Sequence, residues 1–180
     1  MTKQKLFTVD DAYSLRTPAD SVRLYGEWAK SYDIDFIAAT SYVLYQQVVE
    51  VFLRQQSDIH GAVLDIGCGT GIVGVELRKA GVGTIDGIDI SEPMLAEAGG
   101  KVTTAGDPVY RRLTAADLTR KLEIASDQYV ALISAGTFTL GHVRPEAFDE
   151  LWRVAAPGAL FAIGVRTTRT TRHTSSCAKF

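Results

Sequence analysis

Cysteine, methionine and tryptophan each occur only twice in the 180 residues, and histidine three times. The two cysteines, Cys68 and Cys177, cannot build a disulfide framework, and no cluster of thiols and imidazoles at zinc-ligand spacing exists. No apolar run approaches the roughly 18 residues needed to cross a membrane. The N-terminus, MTKQKLFTVDDAYSL, lacks the apolar core of a signal peptide. A cytoplasmic setting without membrane contact is therefore expected. An excess of positive charge is also missing. The formal net charge is −2, which gives no overall signature for nucleic acid. The distribution is uneven: residues 1–150 carry 14 basic and 21 acidic side chains, whereas residues 151–180 carry five basic and no acidic ones. A basic tail can attract nucleic acid. This one has no interleaved aromatics and reads as a solvated tail.

What is present is an ordinary soluble composition, 46% hydrophobic and 22% charged, in a chain long enough for one domain with a sizeable core. Residues 1–19 read as a flexible lead-in. A helix capped by Asp20 or Ser21 is expected through Val22, Leu24, Tyr25, Trp28 and Ala29. A second is expected from about Thr40 to Gln56, with Val43, Leu44, Val48, Val51 and Phe52 at helical spacing. From residue 62 short apolar runs alternate with helical patterns. Strands are expected at 62–66, 84–90, 109–113, 129–133 and 159–165. Helices are expected at 72–80, from Ser91-Glu92-Pro93 onward, and at 145–154, with Phe148, Leu151 and Trp152 on one face. Pro157-Gly158 reads as a turn. This alternation predicts an α/β fold with a doubly wound, mainly parallel sheet.

The chemistry concentrates at Gly67-Cys68-Gly69-Thr70-Gly71 between the first strand and its helix. Glycines there let the backbone turn tightly and approach a ligand, and the helix start favours negative charge. Asp89, at the end of the second strand, can accept hydrogen bonds from both hydroxyls of a ribose. Gly69-Thr70-Gly71-Ile72-Val73-Gly74 also matches the dinucleotide pattern G-x-G-x-x-G, so an NAD(P)-dependent oxidoreductase is an alternative. Asp65 argues against it. An acid at the mouth of the first strand repels a pyrophosphate and suits a ligand carrying an ammonium or sulfonium group.

These residues resemble a family. Val63-Leu64-Asp65-Ile66-Gly67-Cys68-Gly69-Thr70-Gly71 is similar to the first motif of class I S-adenosylmethionine (SAM)-dependent methyltransferases. Ile88-Asp89-Ile90-Ser91 with Met94-Leu95 resembles their second motif, and Ala116-Asp117-Leu118 their third. Tyr129–Ser134 and Ala156-Pro157-Gly158-Ala159 resemble the fourth strand and the turn before the fifth. The stretches Tyr25–Asp33 and Gly136–Val143 are similar to the Williams–Beuren-region methyltransferase-like group of small-molecule-type enzymes. The resemblance implies SAM as cofactor. Asp65 and the backbone at Gly67 and Gly69 would hold its methionine part; Gly71 and Cys68 also belong to the cofactor site, with Cys68 packing there rather than acting as a nucleophile. Asp89 would hold the ribose, Ile90 and Met94 the adenine ring, and Asp117 its amino group with Leu118 alongside. Ser134 would line the site. Tyr25, Trp28 and Tyr32 would form a lid within an N-terminal helical region (20–57) of a SAM-binding domain spanning 20–165. They also satisfy the simpler reading of a buried stripe on an amphipathic helix. Met94 can equally be core, and Asp117 a helix cap. No metal is implied.

The implied reaction is direct displacement of the SAM methyl by a small-molecule acceptor. Ser134-Ala135-Gly136-Thr137 stands where an Asn-Pro-Pro-Tyr motif would signal methylation of bases or glutamine. No catalytic residue can be named except His142, which could take the acceptor's proton or simply face solvent. The sequence does not reveal the oligomeric state. The departure from the family lies at the end. Residues 166–180, RTTRTTRHTSSCAKF, lack apolar alternation and read as a disordered tail. The last two strands of the family sheet are therefore expected to be missing, as in a truncated or altered chain. A SAM-binding but inactive domain is then a further alternative.

Overall fold

The computed structural model describes residues 17–34, 43–55, 59–138, 145–165 and 175–179, with residues 11, 15 and 143 in addition. Most of the lead-in, residues 40–42 of the expected second helix, His142 and the first part of the tail (166–174) lie outside the described residues.

Among the described residues six strands form one sheet: β1 (Ala62–Ile66), β2 (Thr84–Asp89), β3 (Arg112–Ala115), β4 (Tyr129–Phe138), β5 (Ala155–Val165) and β6 (Ser175–Lys179). Their order across the sheet is β3-β2-β1-β4-β5-β6. The first five run parallel and β6 antiparallel. Parallel strands are buried on both faces, and this explains why β1, AVLDI, is apolar apart from Asp65. Alternate residues serve opposite layers. Val63 packs with α2 (Leu44–Gln55) and α3 (Ile72–Lys79), whereas Leu64 and Ile66 pack with Leu151 and Val154 of α5 (Ala147–Val154). The order reverses between β1 and β4, and the crevice outside the strand ends at such a switch point is where doubly wound sheets bind ligands.

Several expectations shift. α1 (Pro18–Trp28) is capped by Thr17, not by Asp20 or Ser21. Thr17 and Asp20 form a reciprocal capping box, and Pro18 sits in the first turn. Asp20 is thus the third helical residue rather than the cap. α2 buries Tyr45, Val48, Val49 and Phe52, while Val43 precedes it and is exposed. β3 starts at Arg112, late in the expected 109–113 window, and runs on to Ala115, because Val109 and Tyr110 are drawn into the core before the strand begins. α5 buries Leu151, but Trp152 is 41% exposed, its ring resting on Phe161 with centroids 4.4 Å apart. Pro157-Gly158 does not end a strand. β5 runs through it with a shift of register, Tyr129 facing Ala155 and Ala131 facing Leu160, eased by φ +80° at Gly158.

The largest correction concerns the tail. Ser175–Lys179 is not disordered, and the sheet does not stop at β5. Gly164 faces Ser175 and Leu160 faces Lys179 across an antiparallel ladder. Apolar alternation is the signature of a strand with one buried face. A strand added at an edge is held first by backbone N–H and C=O groups, which any residue but proline provides in full. One antiparallel strand, where the family pattern has two, is present among the described residues.

Candidate functional site

The site begins where β1 hands over to α3. Gly67, Gly69 and Gly71 adopt φ of +62°, +53° and +88°, a region that disfavours side chains with a Cβ. The loop is tied to its neighbours: the Cys68 N–H donates to the Ile88 carbonyl at 3.0 Å and the Gly71 N–H to the Cys68 carbonyl at 2.8 Å. The glycines differ in what lies over them. A Cβ on Gly69 would meet nothing within 4 Å, so space is open above it. A Cβ on Gly67 would collide with Thr137, whose hydroxyl donates to the Ile66 carbonyl at 3.1 Å.

Two acids flank this loop. Asp89 accepts from the Gly69 N–H at 2.9 Å and from the Ser91 N–H at 2.8 Å, one on each oxygen. Each carboxylate oxygen has further acceptor capacity, so both can still receive hydroxyl donors. Burial raises the Asp89 pKa, opposed by these backbone bonds. Asp65 is only 1% exposed. Its Oδ2 accepts from the Tyr110 hydroxyl at 2.6 Å, and that oxygen in turn accepts from the Gly74 N–H at 3.1 Å. Its Oδ1 has no hydrogen-bond partner among the described residues. Burial pushes the Asp65 carboxyl up to about 7, the Tyr110 bond opposes that rise, and the Asp89 charge adds to it. The Cys68 thiol is raised by burial and then by both acids. Its side chain is buried in the core layer with Val63 and Val73.

The aromatic trio is assembled. Trp28 is wholly buried, with Tyr32 edge-on to it at 5.0 Å, Tyr25 stacked on it at 6.4 Å, and Tyr25 and Tyr32 at 6.3 Å. Burial and then the charge of Asp89 push the Tyr25 hydroxyl up to about 12. The trio thus stands within the field of the acid at the end of β2. α1 packs against α4 (Glu92–Gly99), where Gly26 faces Pro93. Tyr25 and Trp28 lie on α1, and Tyr32 follows it, just past the turn after the helix.

The remaining expected residues divide. Ile90 is half-buried beside Asp89, and Met94 is buried in α4. Asp117 accepts from both the N–H and the hydroxyl of Thr119, at 2.9 and 2.7 Å, with Arg120 3.6 Å from its other oxygen. This is a local turn. Leu118 packs on the core layer that contains α5. Ser134 is fully buried, and its hydroxyl donates to the Ile66 carbonyl at 2.8 Å, tying β4 to β1.

Sequence reasoning missed Tyr110, Thr137 and Asp33. Tyr110 fills space that glycine leaves in the loop and helix, where a Cβ would come within 2.9 Å of its ring at Gly71 and 2.4 Å at Gly74, and at Gly87 it stands 3.0 Å from a Cβ beside the closer Leu113 and Cys68. The third glycine of G-x-G-x-x-G is thereby explained by a neighbouring ring, without a pyrophosphate. Gly87, mid-strand and without side chain, was the available signal that something bulky approaches. Asp33 accepts from the Thr70 hydroxyl at 2.5 Å and from Lys101 Nζ at 2.6 Å.

The arrangement fits a ligand with a cationic group and a vicinal diol. It has open space over Gly69, a buried carboxylate oxygen without a partner, and a second carboxylate at the end of β2. Two acids so close disfavour a pyrophosphate.

Residues 63–158 match a family model described as a methyltransferase domain. A human protein, methyltransferase-like protein 27, is 30% identical over 159 residues, covering 87% of this chain. The chain spans 62% of that relative's length. Among solved structures, one chain of the Haloferax volcanii complex between the Trm112 methyltransferase activator and a methyltransferase superposes with a TM-score of 0.64. It is 20% identical and covers 78% of this chain and 59% of its own. A SAM-dependent methyltransferase from Aquifex aeolicus gives 0.52 at 25% identity, covering 68% of each chain.

Proposed function

The chain belongs to the class I SAM-dependent methyltransferase family, and on that premise we propose that it binds SAM over the glycine loop and methylates a small-molecule acceptor. The observation that carries the proposal is the pairing of Asp65, with one buried oxygen unpartnered, and Asp89 at the end of β2. Asp65 would face the ammonium of the methionine part, and Asp89 the ribose hydroxyls. Gly69, open above, would let the cofactor reach the backbone. Tyr25, Trp28 and Tyr32 would close over it. Ile90 and Met94 would flank the adenine. Asp117 can contribute through the oxygen that Thr119 does not use.

When bound, SAM supplies a methyl already activated by its sulfonium for direct displacement by a nucleophile. The chain's own task is then to align and to exclude water. Thr137 and Ser134 brace the end of β1 through the Ile66 carbonyl. The aromatic trio provides the dry wall. A small-molecule acceptor is supported by Ser134-Ala135-Gly136-Thr137, which replaces the motif for base or glutamine methylation with hydroxyls already spent on the backbone.

The test is calorimetry with SAM, S-adenosylhomocysteine and NADH on the folded protein and an Asp89→Ala variant. Micromolar binding of SAM and its product, none of NADH, and a loss of at least about tenfold in the variant are expected. Heat with NADH alone, or a variant that binds SAM like the parent, overturns the reading.

A further inference from the structure

We propose that Asp33 is a positioning residue that latches the N-terminal aromatic lid to the cofactor loop and so sets how long the cofactor stays; the proposal rests on the SAM reading above. The placement of Asp33 follows from the chain before it. After α1 the backbone turns, with the Ser31 N–H donating to the Trp28 carbonyl and the Ile34 N–H to the Ser31 carbonyl, both at 3.0 Å. Tyr32 is held edge-on against the buried Trp28. The next residue therefore leaves the lid in a fixed direction, and its carboxylate meets two other segments. One oxygen takes the Thr70 hydroxyl and the other takes Lys101, which follows α4. These partners lie 37 and 68 residues away in the chain. One side chain thus joins the lid, the glycine loop and the end of α4.

Thr70 makes this junction consequential. It stands between Gly69 and Gly71, both left-handed, so it is the loop's handle between two permissive joints. It is only 2% exposed, and a buried hydroxyl needs an acceptor. Asp33 supplies it with a charged oxygen, which makes the stronger kind of hydrogen bond. If the lid lifts, Thr70 loses that acceptor and the loop loses its outer brace. Conversely, a cofactor that orders the loop favours the docked lid. Lys101 and Asp33 are partly exposed, so their ion pair contributes less and is screened by salt. Its part is to orient the carboxylate toward Thr70.

The experiment uses the whole chain and S-adenosylhomocysteine. Affinity is measured by calorimetry and dissociation by stopped-flow displacement for Asp33→Ala, Thr70→Val, Lys101→Met and the Asp33→Ala/Thr70→Val double variant. Asp33→Ala and Thr70→Val are each expected to weaken binding about tenfold, mainly through faster release. The double variant should be no weaker than Asp33→Ala alone, because both remove the same bond. Lys101→Met should lose about two- to threefold, less so at high salt. A merely structural Asp33 would lower the melting temperature of the ligand-free protein and leave the release rate alone; that result overturns the proposal. So do additive losses in the double variant. If Asp33→Ala fails to fold, Thr70→Val and Lys101→Met still decide through the release rate. A parent protein that binds no S-adenosylhomocysteine sinks the SAM reading itself, a result distinct from a parent that binds and variants that match it.

Discussion

Replacing Asp65 by asparagine should move stability and cofactor binding in opposite directions at alkaline pH. The carboxyl is buried, and its pKa is pushed from an ordinary 3.8 up to about 7. The folded chain therefore holds a proton that the unfolded chain releases, and stability falls as the pH rises from about 4 through about 7. Between pH 5 and pH 8 this group alone costs the parent roughly 2–3 kcal/mol. Asparagine carries no charge and avoids that loss. Its carbonyl can keep the bond from Tyr110, but its amide nitrogen takes the place of an oxygen that lacks a partner. That orphan donor costs about 1–3 kcal/mol at every pH. The offset is thus constant and the slope is not. Urea unfolding of both proteins at pH 5 and pH 8 should show the variant gaining roughly 2–3 kcal/mol on the parent across the interval. A difference that stays flat with pH would refute the argument. In the same preparation, affinity for SAM should drop at least about tenfold, because the counter-charge to the ammonium is gone.

Two further substitutions probe the packing beneath the site. Gly74→Ala gains helix propensity of about 1 kcal/mol, but its Cβ would lie 2.4 Å from the Tyr110 ring and hydroxyl. A net destabilisation of about 1–3 kcal/mol is expected in urea unfolding, against a change within about 0.5 kcal/mol for Gly83→Ala, where a Cβ meets open space; equal midpoints would contradict it. Arg111→Met strips buried Asp86 of its two-pronged partner, at 2.9 and 2.5 Å, and leaves it the Tyr129 hydroxyl. Because Arg111 is half-exposed, about 2–3 kcal/mol should be lost, less than for a fully buried pair; a smaller loss than in Tyr129→Phe would assign the burden to the tyrosine instead.

Much of the fold could be read because parallel strands buried on both faces leave apolar runs such as Val63–Ile66 and Val130–Ile133, and because the loop between β1 and α3 needs glycines. The acids were legible by position, Asp65 near the end of β1 and Asp89 at the end of β2. What escaped was whatever depends on partners far apart in the chain. Nothing local to Tyr110 says that it will bind a carboxylate 45 residues earlier, and nothing local to Asp33 points to Thr70. Ser134 was expected at the end of a strand over 129–133, but β4 continues to Phe138 and Ser134 lies inside it, its hydroxyl turned to a neighbouring strand, a choice made by packing. β6 escaped for another reason: backbone ladders leave no mark in side-chain alternation when the strand is an edge.

The Tyr110 ring also constrains how this chain can change. The ring occupies the room left by Gly74 on a helix and shares with Leu113 and Cys68 the room left by Gly87 on a strand, so residues 74 and 110 are coupled most directly. A lineage that acquires a side chain at 74 before residue 110 shrinks passes through a destabilised intermediate with a collision beneath the loop. The less costly route at 74 shrinks residue 110 first, and that step takes away the donor on which Asp65 rests. Change at the helix is thereby coupled to the buried acid of β1 through a single hydroxyl.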